Sequence, residues 1–231
     1  MHQTVFFLLL TSACLGFAQG TGAVNSTKPT FGMRGGAVLT TNFVEKGLTQ
    51  TDGDPGLQGE FWFDFGSQFR LGLWGANVNY ESASSTHFWL KLNADIRVDF
   101  SSTSALVIKY SENKFYRSNN RDGNTVGFHL DFGGYKVLYE MDSNWQGTQN
   151  KSTYAGLGKD FTVLGNWTWA NQVGYTLPES DGVQSFLDIR SGIGKKLKDI
   201  FGMVSVSYST ASGDFKEQGE LAIILSSGVS Y

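Results

Sequence analysis

Few side chains suited to reaction chemistry occur in this sequence, and their spacing is poor for it. Histidine appears at His2, His87 and His129, and Cys14 is the one cysteine. His129 and Asp131 stand two apart, which on an extended strand puts both on one face, as a general base and an orienting carboxylate require. No G-x-S-x-G and no H-E-x-x-H occurs, so neither a nucleophile elbow nor a zinc-binding helix is encoded. A structural hydrogen bond is the preferred reading of the pair, with a hydrolase as the remote alternative. Two scattered histidines do not make a metal site. Thr51-Asp52-Gly53-Asp54-Pro55 has part of a calcium-loop pattern but lacks the following Asp or Asn and the distal Glu. It reads as a turn, one able to fold inward. Catalytic residues, metal and cofactor are therefore all expected to be none.

The remaining candidates are charges in alternation. Glu60, Asp64, Arg70, His87, Lys91, Asn93, Asp95, Arg97, Asp99 and Lys109 fall on polar phases. His129, Asp131, Lys136, Glu140, Asp142, Asp188 and Arg190 follow. They form one surface only if the segments bearing them are strands of one sheet. Thr86 to Phe100 shows how: Phe88, Leu90, Leu92, Ala94, Ile96, Val98 and Phe100 alternate with His87, Trp89, Lys91, Asn93, Asp95, Arg97 and Asp99. One face is apolar and the other polar or charged. The run exceeds an ordinary strand and suits a tilted crossing of a bilayer, which takes about 9–11 residues.

Period-two segments recur over 34–46, 58–65, 69–80, 86–100, 105–114, 125–132, 135–143, 152–161, 166–176, 183–196, 201–210 and 219–231. Connections after even-numbered segments are short and those after odd-numbered ones are mostly longer and more polar. Outer-membrane barrels sort their turns in this way. The expected fold is all-β, a single antiparallel transmembrane barrel of about twelve strands. Charged residues make up 17%, below the roughly 25% of soluble proteins. With no apolar run long enough for a helix, only a closed barrel satisfies its backbone in lipid. Trp62, Trp74, Trp89, Trp145, Trp167 and Trp169, with Tyr80, Tyr110, Tyr135, Tyr175 and Tyr208, are read as interfacial girdles, although Trp89 shares the phase of Lys91.

Residues 1–18 read as a signal peptide, with Val5 to Leu10 its apolar core and cleavage after Ala18. Lipidation of Cys14 is the rival. Residues 19–33 are expected to form a periplasmic segment and 34–231 the barrel. The last strand ends on Tyr231, the kind of terminus that barrel insertion machinery reads.

Thr41 to Asn79 resembles the opening of the TorF-family porins, also called the Gcw_chp conserved hypothetical family. The match is specific at Gln50 to Pro55, Gln58-Gly59 and Trp74-Gly75. The family's Asp, aromatic and Arg before its glycine stand here as Asn42, Glu45 and Lys46. If that Arg sets the family's pore charge, Lys46 keeps the sign without the bidentate fork. The resemblance implies an outer-membrane barrel of porin type.

The functional reading is passive diffusion of small hydrophilic solutes through a narrow polar lumen. Two alternatives stay open: a structural or adhesive barrel blocked inside by ion pairs, and an outer-membrane hydrolase. Outer-membrane lipid, lipopolysaccharide and the insertion machinery are the expected partners. Asn113 to Gly123, with Lys114, Arg117 and Arg121 beside Phe115 and Tyr116, is an outer loop facing water or lipopolysaccharide. A net charge of -3 argues against nucleic acid. Leu92→Arg is expected to impair insertion and Lys91→Ala to leave it intact. The sequence does not give the oligomeric state.

Overall fold

The computed structural model describes residues 31–80, 87–117 and 119–231. The expected signal peptide, His2 and Cys14 lie outside them. Strands run in order as β1 (Phe31–Thr40), β2 (Val44–Glu45), β3 (Leu48–Thr49), β4 (Gly56–Phe65), β5 (Phe69–Asn77), β6 (Phe88–Ser101) and β7 (Ser104–Phe115). β8 (Gly123–Phe132), β9 (Tyr135–Asp142), β10 (Ser152–Val163), β11 (Trp167–Pro178), β12 (Phe186–Leu197), β13 (Ile200–Ser209) and β14 (Ala222–Ser230) follow. β1 and β4 to β14 form one closed antiparallel barrel, and β2 and β3 form a separate hairpin. β1 begins at Phe31, ahead of Arg34, because Phe31 and Met33 continue the outward phase and pair with Phe65 and Phe63.

Alternation decides the wall. β13 reads exposed and buried in strict turn, with Val204, Val206 and Tyr208 outward and Ser205, Ser207 and Ser209 inward. On β6, Leu92 and Ile96 face out while Lys91, Asn93 and Asp95 are buried inside. The exterior is therefore an apolar belt and the interior is polar, the inverse of a soluble barrel. Short turns lie at one rim, such as Gly133-Gly134, both with positive φ. At the other rim the connections are long.

The barrel closes where β1 meets β14, with Gly36 opposite Ser230 and Thr40 opposite Ser226. Beyond that ladder, the Gly35 N–H donates to the Tyr231 carbonyl at 3.2 Å, and the Tyr231 N–H donates to the Gly35 carbonyl at 3.0 Å. A Cβ on Gly35 would sit 2.7 Å from the Tyr231 hydroxyl and 3.0 Å from the Glu60 carbonyl. Gly35→Val is expected to destabilise the closed barrel by about 1–3 kcal/mol through overpacking, read as a lower urea midpoint for loss of the compact form on gels. An unchanged midpoint would mean that Tyr231 swings clear at no cost.

Two expectations need correction. The first strand stops at Thr40, not Lys46, because the chain turns inward there. The tryptophans divide: Trp167 and Trp169 face outward with Tyr110, Tyr135, Tyr175 and Tyr208. Trp62, Trp74, Trp89, Trp145 and Tyr80 are buried inside and cannot belong to a lipid girdle. Strand phase explains three of them, since Trp62 lies between Glu60 and Asp64, Trp74 pairs with Lys91, and Trp89 is two residues from Lys91.

Candidate pore constriction

Residues 41–55 leave β1 and fold into the barrel. Val44 pairs with Thr49 and Glu45 with Leu48, and the two-residue tip is Lys46-Gly47, with φ of 48° and 77°. Positive φ at both positions is the type I′ turn that matches strand twist. The base is tied by side chains. The Thr51 hydroxyl accepts from the Phe43 N–H at 3.0 Å and donates to the Asp54 carbonyl at 2.7 Å. The Asn42 carboxamide oxygen accepts from the Thr49 hydroxyl at 2.5 Å. The Thr51–Pro55 segment is thus the brace of an inward hairpin. Among the described residues no group of three or more His, Cys, Asp or Glu is arranged to hold a metal ion.

The hairpin reaches the wall on three sides. Glu45 Oε1 lies 2.9 Å from Lys91 Nζ on β6. Lys46 Nζ lies 2.9 Å from Glu140 Oε2 and 2.7 Å from Asp142 Oδ2 on β9. Gly47 abuts Asp188 on β12 and Ser209 on β13, where a Cβ would overlap the Asp188 Cβ and sit 2.8 Å from that of Ser209. Following the barrel either way from β1, β9 is the sixth strand, so the tip bridges the full bore. Leu48 packs with Trp145, Phe186 and Ala211. Phe43 packs on Trp74 and Trp89, at 5.8 and 6.3 Å between ring centres. Lys91 Nζ also sits 4.0 Å from the Trp89 ring centre and 4.9 Å from that of Trp74. Trp74, Trp89 and Trp145 therefore hold this hairpin and its anchoring lysine.

Burial works against the Lys46 ammonium, but Asp142, Glu140 and Glu45 outweigh it and hold its pKa well above the ordinary lysine value. A raised folded-state value means that this stabilisation is complete below the unfolded pKa of about 10.4 and is lost only as pH climbs through the folded value. Lys46 is therefore expected to contribute no change in Trp145 fluorescence between neutrality and about pH 10. Loss of the signal in wild type below that point, abolished in Lys46→Met, would contradict the assignment.

The other charged positions pair along the wall. Arg34 grips Asp64 through two hydrogen bonds of 2.7 and 2.9 Å. Arg70 meets Asp95 at 2.5 Å, and Lys136 meets Asp160 at 2.8 Å. Each of these joins neighbouring strands. Arg97 contacts Asp99 at 2.7 Å on its own strand and Asp131 at 3.8 Å two strands away. None of these pairs crosses the bore, unlike the contacts of the hairpin. Glu60 accepts from Trp62 Nε1 at 3.0 Å. Arg190 donates to the Ser205 hydroxyl at 3.4 Å. His129 bonds Glu140 across the strand pair at 2.7 Å, while Asp131 turns to Arg97, so the His129–Asp131 pair that the hydrolase alternative requires does not form. His87 precedes β6 and is exposed, away from the buried run Lys91, Asn93 and Asp95.

The hairpin leaves openings on both sides. The larger, between the hairpin and β6 to β9, is a cavity of about 70 Å³ that opens to solvent. Lys109 lines it, with Ser111, Asn113 and Thr125. The smaller, about 10 Å³, lies between Phe43 and Arg190.

The architecture is similar to solved porins. Against the NanC porin the TM-score is 0.58, with 8% identity over 87% of this chain and 99% of that one. Against the KdgM porin it is 0.54, with 10% identity over 87% and 98%. A second KdgM structure, in complex with disordered oligogalacturonate, gives 0.52 with 11% identity over the same shares. No protein-family model and no curated protein matches the sequence. The shared property is the fold, a porin-type barrel of twelve antiparallel strands. Sequence reasoning missed the hairpin itself and placed inward folding only at Thr51 to Pro55. The available signal was Lys46-Gly47 between Phe43-Val44 and Leu48, a turn dipeptide flanked by apolar residues in an otherwise polar connection.

Proposed function

We propose that this protein is an outer-membrane porin for small hydrophilic solutes and that the Val44–Thr49 hairpin sets its bore. The observation that carries this reading is the ion-paired hairpin spanning a polar lumen, with a solvent-open cavity of about 70 Å³ beside it. The apolar exterior supports a lipid surrounding, and the short and long rims support periplasmic and outer ends respectively. Solutes pass between the hairpin and the β6–β9 wall, and Lys91, Asn93, Asp95, Lys109 and His129 line their path. Glu60, Asp64, Arg70, Arg97, Asp99, Asp131, Asp188 and Arg190 line the remaining wall. Opposed charges at a narrow point order water and select by size and charge.

The test is conductance of the purified protein in planar bilayers with sized neutral sugars. Stable steps, suppressed by sugars small enough to enter, are expected. Silence in wild type together with steps in a variant lacking 44–49 would instead establish the occluded, structural barrel. Hydrolysis of lipid or peptide by the purified protein, lost in His129→Ala, would establish the hydrolase.

Kinship with the TorF-family porins is part of this proposal. It is supported by the position of the resembling residues, since Gln50 and Thr51 are the buried base of the hairpin. An exported precursor cleaved after Ala18, lipopolysaccharide around the outer loops, and recognition of the last strand by insertion machinery complete it. Removal of Tyr231 is expected to lower the yield of assembled barrel in membranes, measured by its compact form on unheated gels. Undiminished yield would remove Tyr231 from that role.

A further inference from the structure

Arg121 stands at the outer mouth of the larger opening and differs from the other cations there. It ends the single turn Asn119–Arg121 between β7 and β8. Its guanidinium carbon lies 3.8 Å from the centre of the Tyr80 ring. That ring is fixed in turn, because Tyr80 is buried and its hydroxyl donates to Gln50 Oε1 at 2.7 Å at the hairpin base. A guanidinium over an aromatic face keeps its N–H donors in its own plane, free to take a planar oxyanion edge-on.

Two of the other cations around the opening, Lys46 and Lys91, are answered by carboxylates. Four cations line it, Lys46, Lys91, Lys109 and Arg121, against the three carboxylates Glu45, Glu140 and Asp142. Glu45 is held by Lys91, while Glu140 and Asp142 are held by Lys46. Asp122, next in the chain to Arg121, is turned away: it accepts from the Phe115 N–H at 2.8 Å and lies 3.3 Å from Lys114 Nζ. Among the described residues no carboxylate lies within ion-pair distance of Arg121. Beside it, Phe115 stacks on Trp89 at 4.9 Å and lies 6.3 Å from the Tyr80 ring, forming an apolar wall.

We infer that the outer mouth is a binding subsite for small organic carboxylates, with Arg121 gripping the carboxylate and Phe115 flanking the body of the solute. This rests on the channel reading for the route by which solute arrives, but the binding itself does not need conduction.

The test titrates the purified barrel in detergent with gluconate, using glucose as the neutral control. Trp89 and Trp145 line the same opening and report through their fluorescence. Gluconate is expected to give a saturable change and glucose none. Arg121→Gln is expected to weaken gluconate at least about tenfold, as loss of charged hydrogen bonds implies, with Arg121→Lys intermediate because it keeps charge without the fork. The compact form on unheated gels establishes that each variant is closed. Should Arg121→Gln fail to close, the lysine variant decides. Equal responses to gluconate and glucose, no saturable response, or undiminished binding in the closed variant overturns the inference. A barrel that conducts but ignores gluconate sinks the subsite and leaves the channel standing. A silent barrel that still binds gluconate through Arg121 does the reverse.

Discussion

Gly47→Val is expected to unseat the inward hairpin and raise the conductance of the reconstituted protein while the barrel stays closed. The effect has two sources. Gly47 holds φ of 77°, and a β-branched residue in that region costs about 1–3 kcal/mol. The new side chain must also enter space held by Asp188 and Ser209 on the far wall. Since about 1.4 kcal/mol is a factor of ten in population, the backbone term alone moves a sizeable share of molecules to a lifted hairpin. The barrel is spared because the substituted residue belongs to none of its strands. Single-channel recording would show larger and noisier steps, with the compact gel form unchanged. Conductance identical to wild type would mean that the hairpin does not limit the bore. Loss of the compact form would mean that the plug and wall fold as one unit.

Val204→Arg is expected to reduce insertion by about 2–4 kcal/mol, the depth-dependent cost of a cation facing lipid near mid-bilayer. Val204 faces outward at the middle of β13, opposite Ile193 on one side and Leu225 on the other. No carboxylate stands beside it. The membrane-inserted fraction should fall sharply, whereas Ser207→Ala on the inward phase of the same strand should insert as wild type does. Leu92→Arg is a weaker probe than its sequence implied. Leu92 faces outward as read, but Glu112 is its direct neighbour on β7. An arginine there gains a partner, so its cost is expected to be the smaller of the two.

How far the sequence could be read follows from which interactions are local. Alternation along β6 is written in successive residues, and its outward Leu92 and Ile96 and inward Lys91 and Asp95 follow from pleat geometry alone. The long and short connections are equally local. The hairpin is different. Its seat depends on Lys91, Glu140, Asp142 and Asp188, on three strands scattered over a hundred residues, and no short window contains that arrangement. Trp145 is misread for the same reason, whereas the phase of Trp74 against the outward Leu71 and Leu73 was legible along β5. An aromatic residue near a strand end fits a headgroup belt equally well until an inward loop arrives to cover it. The spacing along the strand offers His129 only Asp131 as a possible partner, whereas Glu140, reached across the ladder, holds it at 2.7 Å.

The seam between first and last strands has a kinetic consequence. The Ser226 and Thr40 hydroxyls meet at 3.3 Å although 186 residues separate them in the chain. A ladder between such distant partners cannot form until all the strands between them have been synthesised, and contacts of this range are slow to find. Until then the growing sheet carries two raw edges, each a template for a stranger's backbone. The polypeptide must therefore travel to its destination shielded, and the final zippering step fixes the moment at which it ceases to be an aggregation hazard.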